Sequence, residues 1–241
     1  MTVSGFDTRP DLFQQRPLER LRYTVTEANL LRHLDPSPQR VLDVAGGNGV
    51  EAVRLARLGH EVTVLDPAGA MLHRAIETAE SHDVADRLHV VQAGALDAPE
   101  LFRPHDFDLV LCHNLLHFVD DPGEVLSAVI APLRPGGLLS VLGPNSDFEP
   151  VHAAVRELDP DRALDTLSGA RPAPVGALVA LLAGLGVEEV VRYGVRCVSD
   201  LLPSLSDDPG FLADLERLEV AMADRMPQLL TARFFHLVAR R

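Results

Sequence analysis

Val41-Leu42-Asp43-Val44-Ala45-Gly46-Gly47-Asn48-Gly49 is an apolar run that ends in glycines and opens the next patterned segment. The stretch reads as strand, tight turn and helix start. Glycine lets the backbone turn sharply and approach a ligand closely, and the helix behind it offers free N–H groups. The next apolar run, Glu61 to Leu65, closes on Asp66, 17 residues after Gly49. A carboxylate at the end of a second strand can accept hydrogen bonds from both hydroxyls of a ribose. The pattern predicts a nucleoside-containing cofactor.

Two cofactors compete for it. Gly47-x-Gly49-x-x-Ala52 fits the dinucleotide fingerprint with Ala in the last place, which keeps an NAD-dependent oxidoreductase as an alternative. Asp43 favours the other. A carboxylate just ahead of the glycines can bind an ammonium but would repel a pyrophosphate. S-adenosylmethionine carries a ribose, an ammonium and a sulfonium and no phosphate, so it suits Asp43 and Asp66 together.

On either side of the loop, helix and strand alternate, the signature of a parallel sheet covered by helices. Arg16 to Leu34 places Leu18, Leu21, Val25, Ala28 and Leu31 on one helical face before Pro36 and Pro38 stop it. Arg40–Val44, Glu61–Leu65, Leu88–Gln92, Phe107–Cys112 and Leu138–Leu142 read as five strands, the fourth apolar on both faces as a central parallel strand is. Gly49–Leu58, Ala70–Ser81 and Pro122–Leu133 read as helices between them, and Pro135-Gly136-Gly137 as a turn before the fifth strand. After Gly143 the rhythm changes. Asn145 to Ala173 is dotted with prolines and acids and helical in part. Val175–Leu185 and Phe211–Arg225 read as helices, and Val190–Val198 and Arg233–Ala239 as two last strands. The expected fold is α/β: a Rossmann-like, seven-stranded, mostly parallel sheet flanked by helices, with an N-terminal helix and a helical lid. Residues 1–38 form the cap helix, 39–143 the cofactor-binding core, and 144–241 the lid and last two strands of one domain.

The 241 residues are 46% hydrophobic and 24% charged, enough for a sizeable core. The 22 basic residues, all Arg, and 35 acidic ones leave a charge of −13, which argues against a broad phosphate-binding surface. No apolar run approaches the roughly 20 residues that span a bilayer, and Met1–Gln15 lacks the apolar core of a signal peptide. Cys112 and Cys197, 85 positions apart, fit neither a metal spacing nor a disulfide framework, so the cytoplasm is the expected compartment.

VLDVAGGNG, VTVLD, VVQAGALD, FDLVLCHNLLHFVDDP and LRPGGLLSVL, in that order from Arg40 to Leu142, resemble the class I S-adenosylmethionine-dependent methyltransferases. A closer resemblance, over nearly the whole chain, is to the tRNA 5-carboxymethoxyuridine methyltransferase group. It is carried by Phe6-Asp7, Leu21-Arg22, the AGGNG loop, GVRCVSD and the closing RFFHLVARR. The resemblance implies S-adenosylmethionine as cofactor and a role for each matching residue. Ala45, Gly46 and Gly47 would lie under the methionine part, and Asp66 would bind the ribose. Ala95 and Leu96 would hold the adenine, with Met71 against its face. His113 would contact the methionine end, and Arg22 would close over the cofactor and pair with its carboxylate. Ala45 stands where the family usually carries Gly; a negative φ would accommodate it.

That tRNA group carries a lysine-rich tract between the fifth strand and the next helix. Here the tract reads FEPVHAAVRELDPDRALDTLSG, where Asp147, Glu149, Glu157, Asp159, Asp161 and Asp165 stand against Arg156 and Arg162. An acidic lid does not suit an RNA backbone. The expectation is methyl transfer to a small molecule at oxygen, nitrogen or carboxyl. The tRNA wobble uridine is the alternative, and a non-catalytic S-adenosylmethionine-binding module is an alternative of another class.

His117 and His113 follow the fourth strand, where base chemistry would sit, with His117 the candidate catalytic base and packing against the lid its plainer reading. Their i, i+4 spacing lacks a third ligand, so no metal is expected. Asp120-Asp121 before Pro122 reads as a helix cap. Arg192 and Arg196, four apart on one strand face, would clamp an anionic substrate. His236, inside the last strand, reads as structural.

Overall fold

The computed structural model describes residues 17–168 and 174–241. The element order is α1 (Pro17–Leu31), β1 (Arg40–Val44), α2 (Val50–Arg57), β2 (Glu61–Leu65), α3 (Gly69–Ser81), β3 (Leu88–Val91), α4 (Ala98–Leu101), β4 (Phe107–His113), α5 (Pro122–Ile130), β5 (Leu133–Pro144), α6 (Phe148–Val155), α7 (Pro160–Ser168), α8 (Val175–Gly184), β6 (Glu188–Val195), α9 (Pro209–Met222), α10 (Gln228–Thr231) and β7 (Phe234–Arg240). The strands form one sheet in the order β3-β2-β1-β4-β5-β7-β6. The first five are parallel, and β7 runs antiparallel between β5 and β6. The order reverses between β1 and β4, so the crevice outside their carboxyl ends is where a ligand belongs in such a sheet.

Alternate residues of the central strands feed opposite layers. Val41, Leu109 and Leu111 pack with Leu21 and Val25 of α1, Leu55 of α2 and Leu72 of α3. Leu42, Val110, Leu139 and Leu237 pack with Leu126 and Val129 of α5 and Leu182 of α8. Each of these fully buried side chains contributes about 1.5–3 kcal/mol. This makes β1 and β4 a rigid base for the loops at their ends. No helix among the described residues is long and apolar enough to cross a membrane.

Three boundaries differ from the sequence reading. Pro135-Gly136-Gly137 is no turn before a strand. It is an irregularity inside β5, where Gly136 takes φ 73 and donates to the Arg241 carbonyl at 2.6 Å. The β4–β5 register shifts opposite it, between Phe107 and Leu109. Helix α5 stops at Ile130 because Leu133 already pairs with Phe107. Strand β6 ends at Val195 because Arg196 turns into the left-handed region, φ 61. The acid-rich stretch forms α6 and α7, while 169–173 and Phe6-Asp7 lie outside the described residues.

Candidate active site

The glycine loop is held on β2, where the Ala45 N–H donates to the Leu65 carbonyl at 2.7 Å. Ala45 corrects the expectation of a negative φ: it sits at φ 56, in the left-handed region, which costs an L-residue about 1–2 kcal/mol. Gly46 is needed for space, since a Cβ there would lie 2.6 Å from the Asp43 carboxylate. Asp66 closes the far side. Its carboxylate accepts from the Gly47 N–H at 2.9 Å and from the Ala68 N–H at 2.8 Å, so it spans the mouth between the loop and the start of α3. A Cβ on Gly47 would meet the Met71 terminal methyl at 3.5 Å, which places Met71 beside the loop. Ala95 and Leu96 form a short 3-10 turn beyond β3, with Leu96 exposed.

Two carboxylates under this mouth behave in opposite ways. Asp43 is buried beneath Gly46 with Oδ2 unpartnered. Burial, and then the charges of Glu51 and Asp66, push its carboxyl well above the usual range. Glu51, in the first turn of α2, has company. Burial alone would raise it, but His113, with Arg22 and His236 beyond, outweighs burial and holds it at about 2. His113 Nδ1 lies 3.0 Å from Glu51 Oε1, and His113 Nε2 lies 2.8 Å from Ser140 Oγ. Arg22 is buried and donates from Nε to Glu19 at 3.2 Å, with its guanidinium 4.1 Å over the Tyr23 ring. Burial works against its charge, but Tyr23, Glu51 and Glu19 prevail and raise its pKa.

The structure therefore gathers Asp43, Ala45, Gly46, Gly47, Asp66 and Met71 at one mouth, and sets Glu51 against His113 with its charge felt at Arg22. Glu51 escaped the sequence reading. An acid in a helix's first turn reads as a dipole partner, and nothing in its spacing announces a histidine 62 positions away. His117 sits half-buried after β4, its ring 3.9 Å from that of Phe118, and burial lowers its pKa. Cys112 beside Asp43 is inert as a nucleophile, since burial pushes its thiol to about 12. Asp121 caps α5, accepting from Gly123 and Glu124.

The arginine clamp does not form. Arg192 pairs in register with Leu237 on the α5/α8 side of the sheet, where its Nε and Nη2 are buried without hydrogen-bond partners among the described residues, within the electrostatic reach of Asp147. Arg196 lies beyond the strand, where alternation no longer applies. It turns to the α1 side, binding Glu19 at 3.1 Å and Asp200 through Nε at 2.8 Å. The arginines at α6, α7 and the start of β7 are likewise engaged. Arg162 meets Glu149 at 2.9 Å and also Glu157, Arg233 meets Glu149 at 3.4 Å, and Arg156 donates to the Pro203 carbonyl at 3.1 Å. Among the described residues no group of three or more His, Cys, Asp or Glu is placed to hold a metal ion.

Comparison with known proteins extends the picture. A sequence model described as a methyltransferase domain matches residues 41–137. The tRNA 5-carboxymethoxyuridine methyltransferase of Escherichia coli (strain K12) is 30% identical over 224 residues, 88% of this chain and 84% of that protein. A ubiquinone biosynthesis O-methyltransferase of Vibrio cholerae is 35% identical over 128 residues, 52% of this chain and 48% of its own. A solved S-adenosylmethionine-dependent methyltransferase from Aquifex aeolicus aligns with a TM-score of 0.61 at 14% identity, covering 96% of this chain and 98% of that one, a likeness of fold.

Proposed function

The chain belongs to the S-adenosylmethionine-dependent methyltransferases, and from that premise we propose that its methyl acceptor is a small molecule. One observation carries the choice of acceptor. The lid that would meet a nucleic acid has its arginines Arg162 and Arg233 neutralised by Glu149 and Glu157. Phosphate recognition needs uncompensated cations.

The site fits the cofactor. Asp66 is fixed by two backbone donors and keeps acceptor capacity for ribose hydroxyls. The backbone of Ala45 to Gly47 lines the methionine part, and Met71, Ala95 and Leu96 border the adenine. Arg22 faces the carboxylate, and His113 stands at the same end. When bound, S-adenosylmethionine supplies a methyl group already activated on a sulfonium. The chain's task is to hold the acceptor in line and keep water out, and orientation of this kind is worth roughly 7–11 kcal/mol. Burial lowers the pKa of His117, which favours the neutral imidazole that a base must be. His117 is the group that takes the proton from a hydroxyl or amine acceptor; a carboxylate acceptor needs none. Arg192, with two buried donors unpartnered, suits an acceptor carrying an anionic group.

A tRNA acceptor is the second reading, favoured by the relative that matches 88% of the chain. Incubating the protein with methyl-labelled S-adenosylmethionine and an extract of its own cells separates the two. Label is expected in the small-molecule fraction, and label in RNA would overturn the proposal.

A further inference from the structure

Four polar side chains from α2, β4, β5 and β7 lie in a row through the α1/α2 side of the sheet. Glu51 Oε1 is 3.0 Å from His113 Nδ1, His113 Nε2 is 2.8 Å from Ser140 Oγ, and Ser140 Oγ is 2.8 Å from His236 Nε2. Pairing explains the row. Leu142 is the direct neighbour of both His113 and His236, so Ser140, two residues earlier on the same face, lies diagonally between them. Ser140 and His236 are wholly buried.

The protons along the row follow from its chemistry. An ionised carboxylate only accepts, so His113 Nδ1–H donates to Glu51. With His113 as a neutral imidazole, its Nε2 accepts from the Ser140 hydroxyl, and His236 Nε2–H donates to Ser140 Oγ. This arrangement leaves no buried donor in the row unsatisfied. The one orphan is His236 Nδ1, which remains a bare lone pair. Each member fixes the next, and the row ends on one half-buried carboxylate, Glu51.

Arg22, on α1, senses the charge of that carboxylate. A cation and an anion within electrostatic reach of each other match the two charges of an amino-acid end. Asp43, the residue that the sequence assigns to the ammonium, lies beneath Gly46 with its carboxylate enclosed. Resting on the cofactor site described above, we propose that Glu51 binds the α-ammonium of the cofactor, and that His113, Ser140 and His236 are positioning residues that aim it.

Calorimetric titration of the full chain tests this with two ligands, S-adenosylhomocysteine and 5′-methylthioadenosine. They share the nucleoside and a thioether, but only the first has the amino-acid end. Glu51→Gln keeps an acceptor for His113 while removing the charge. It is expected to weaken S-adenosylhomocysteine roughly tenfold or more, the scale of a lost charge-assisted hydrogen bond, and to leave 5′-methylthioadenosine within about twofold. Ser140→Ala is expected to weaken S-adenosylhomocysteine alone, by about threefold, and Ser140→Thr, which restores the hydroxyl, to recover it. Glu51→Gln weakening both ligands equally, or neither, would overturn the proposal, and so would a Ser140→Ala effect that Ser140→Thr does not rescue. A wild-type chain that binds neither ligand would instead overturn the cofactor site itself.

Discussion

Arg162 of α7 and Arg196 just after β6 make the same kind of ion pair in different surroundings. Arg162 is 47% exposed against Glu149 and Glu157, whereas Arg196 is 7% exposed against Glu19 and Asp200. Water screens the first set, and such pairs contribute about 0–1 kcal/mol. In the second, deleting one partner strands buried charge. The lid pairs cancel charge without fixing structure. The Arg196 pairs tie α1, which carries Arg22, to the loop after β6. Arg196→Ala should therefore lower the unfolding free energy by about 3–5 kcal/mol in urea titration, against less than about 1 kcal/mol for Arg162→Ala. Equal costs would break the contrast.

The next effect is a pH slope, and it contrasts two carboxylates that flank one loop. Asp43 is raised by burial, so its contribution to stability is complete below the ordinary carboxylate range and is lost as pH rises through its folded value. Glu51 is lowered from 4.5 to about 2, so its contribution is present above 4.5 and lost as pH falls toward 2. Unfolding followed as a function of pH should show Asp43→Asn flattening the decline that sets in above the ordinary carboxylate range and Glu51→Gln flattening the loss toward acid. If the two substitutions flatten the same limb, these assignments fail.

Those two residues also mark how far the sequence could be read. The strand–glycine–helix pattern, the acid at the end of β2 and the alternation of elements were legible because period and turn chemistry are local. Asp43 was found by its place before the glycines, but its enclosure under Gly46 depends on the loop folding back. His113, Ser140 and His236 meet only through sheet register, and Glu51 reaches them from α2, which no spacing encodes. The Arg192–Arg196 clamp failed for a related reason: period-two reasoning holds inside a strand, and the strand had already ended.

A smaller effect concerns the loop backbone. Ala45 holds a left-handed conformation that glycine adopts without strain. Relief of about 1–2 kcal/mol is offset in part by the greater freedom of glycine in the unfolded chain, so Ala45→Gly should stabilise the protein by about 1 kcal/mol or less. Thermal unfolding would register a small upward shift, and a downward one would show that the Ala45 methyl group makes packing contacts that outweigh the strain.

The smallest effect on stability belongs to the lid, and it bears most on the acceptor. Glu149→Gln with Glu157→Gln removes two charges that meet Arg162 and Arg233, and should change stability by less than about 1 kcal/mol because the pairs are solvated. Its consequence lies in recognition. Two cations released on one face should give the doubly substituted chain a weak affinity for RNA that falls with salt, at a slope on the order of one to two released counterions. The wild-type chain should show no such binding. If wild type already binds RNA with a steep salt dependence, the lid pairs are not what excludes nucleic acid, and the tRNA reading displaces the small-molecule one. If neither chain binds, the two arginines are too few to hold a phosphate backbone, and the exclusion rests on the −13 charge of the whole chain.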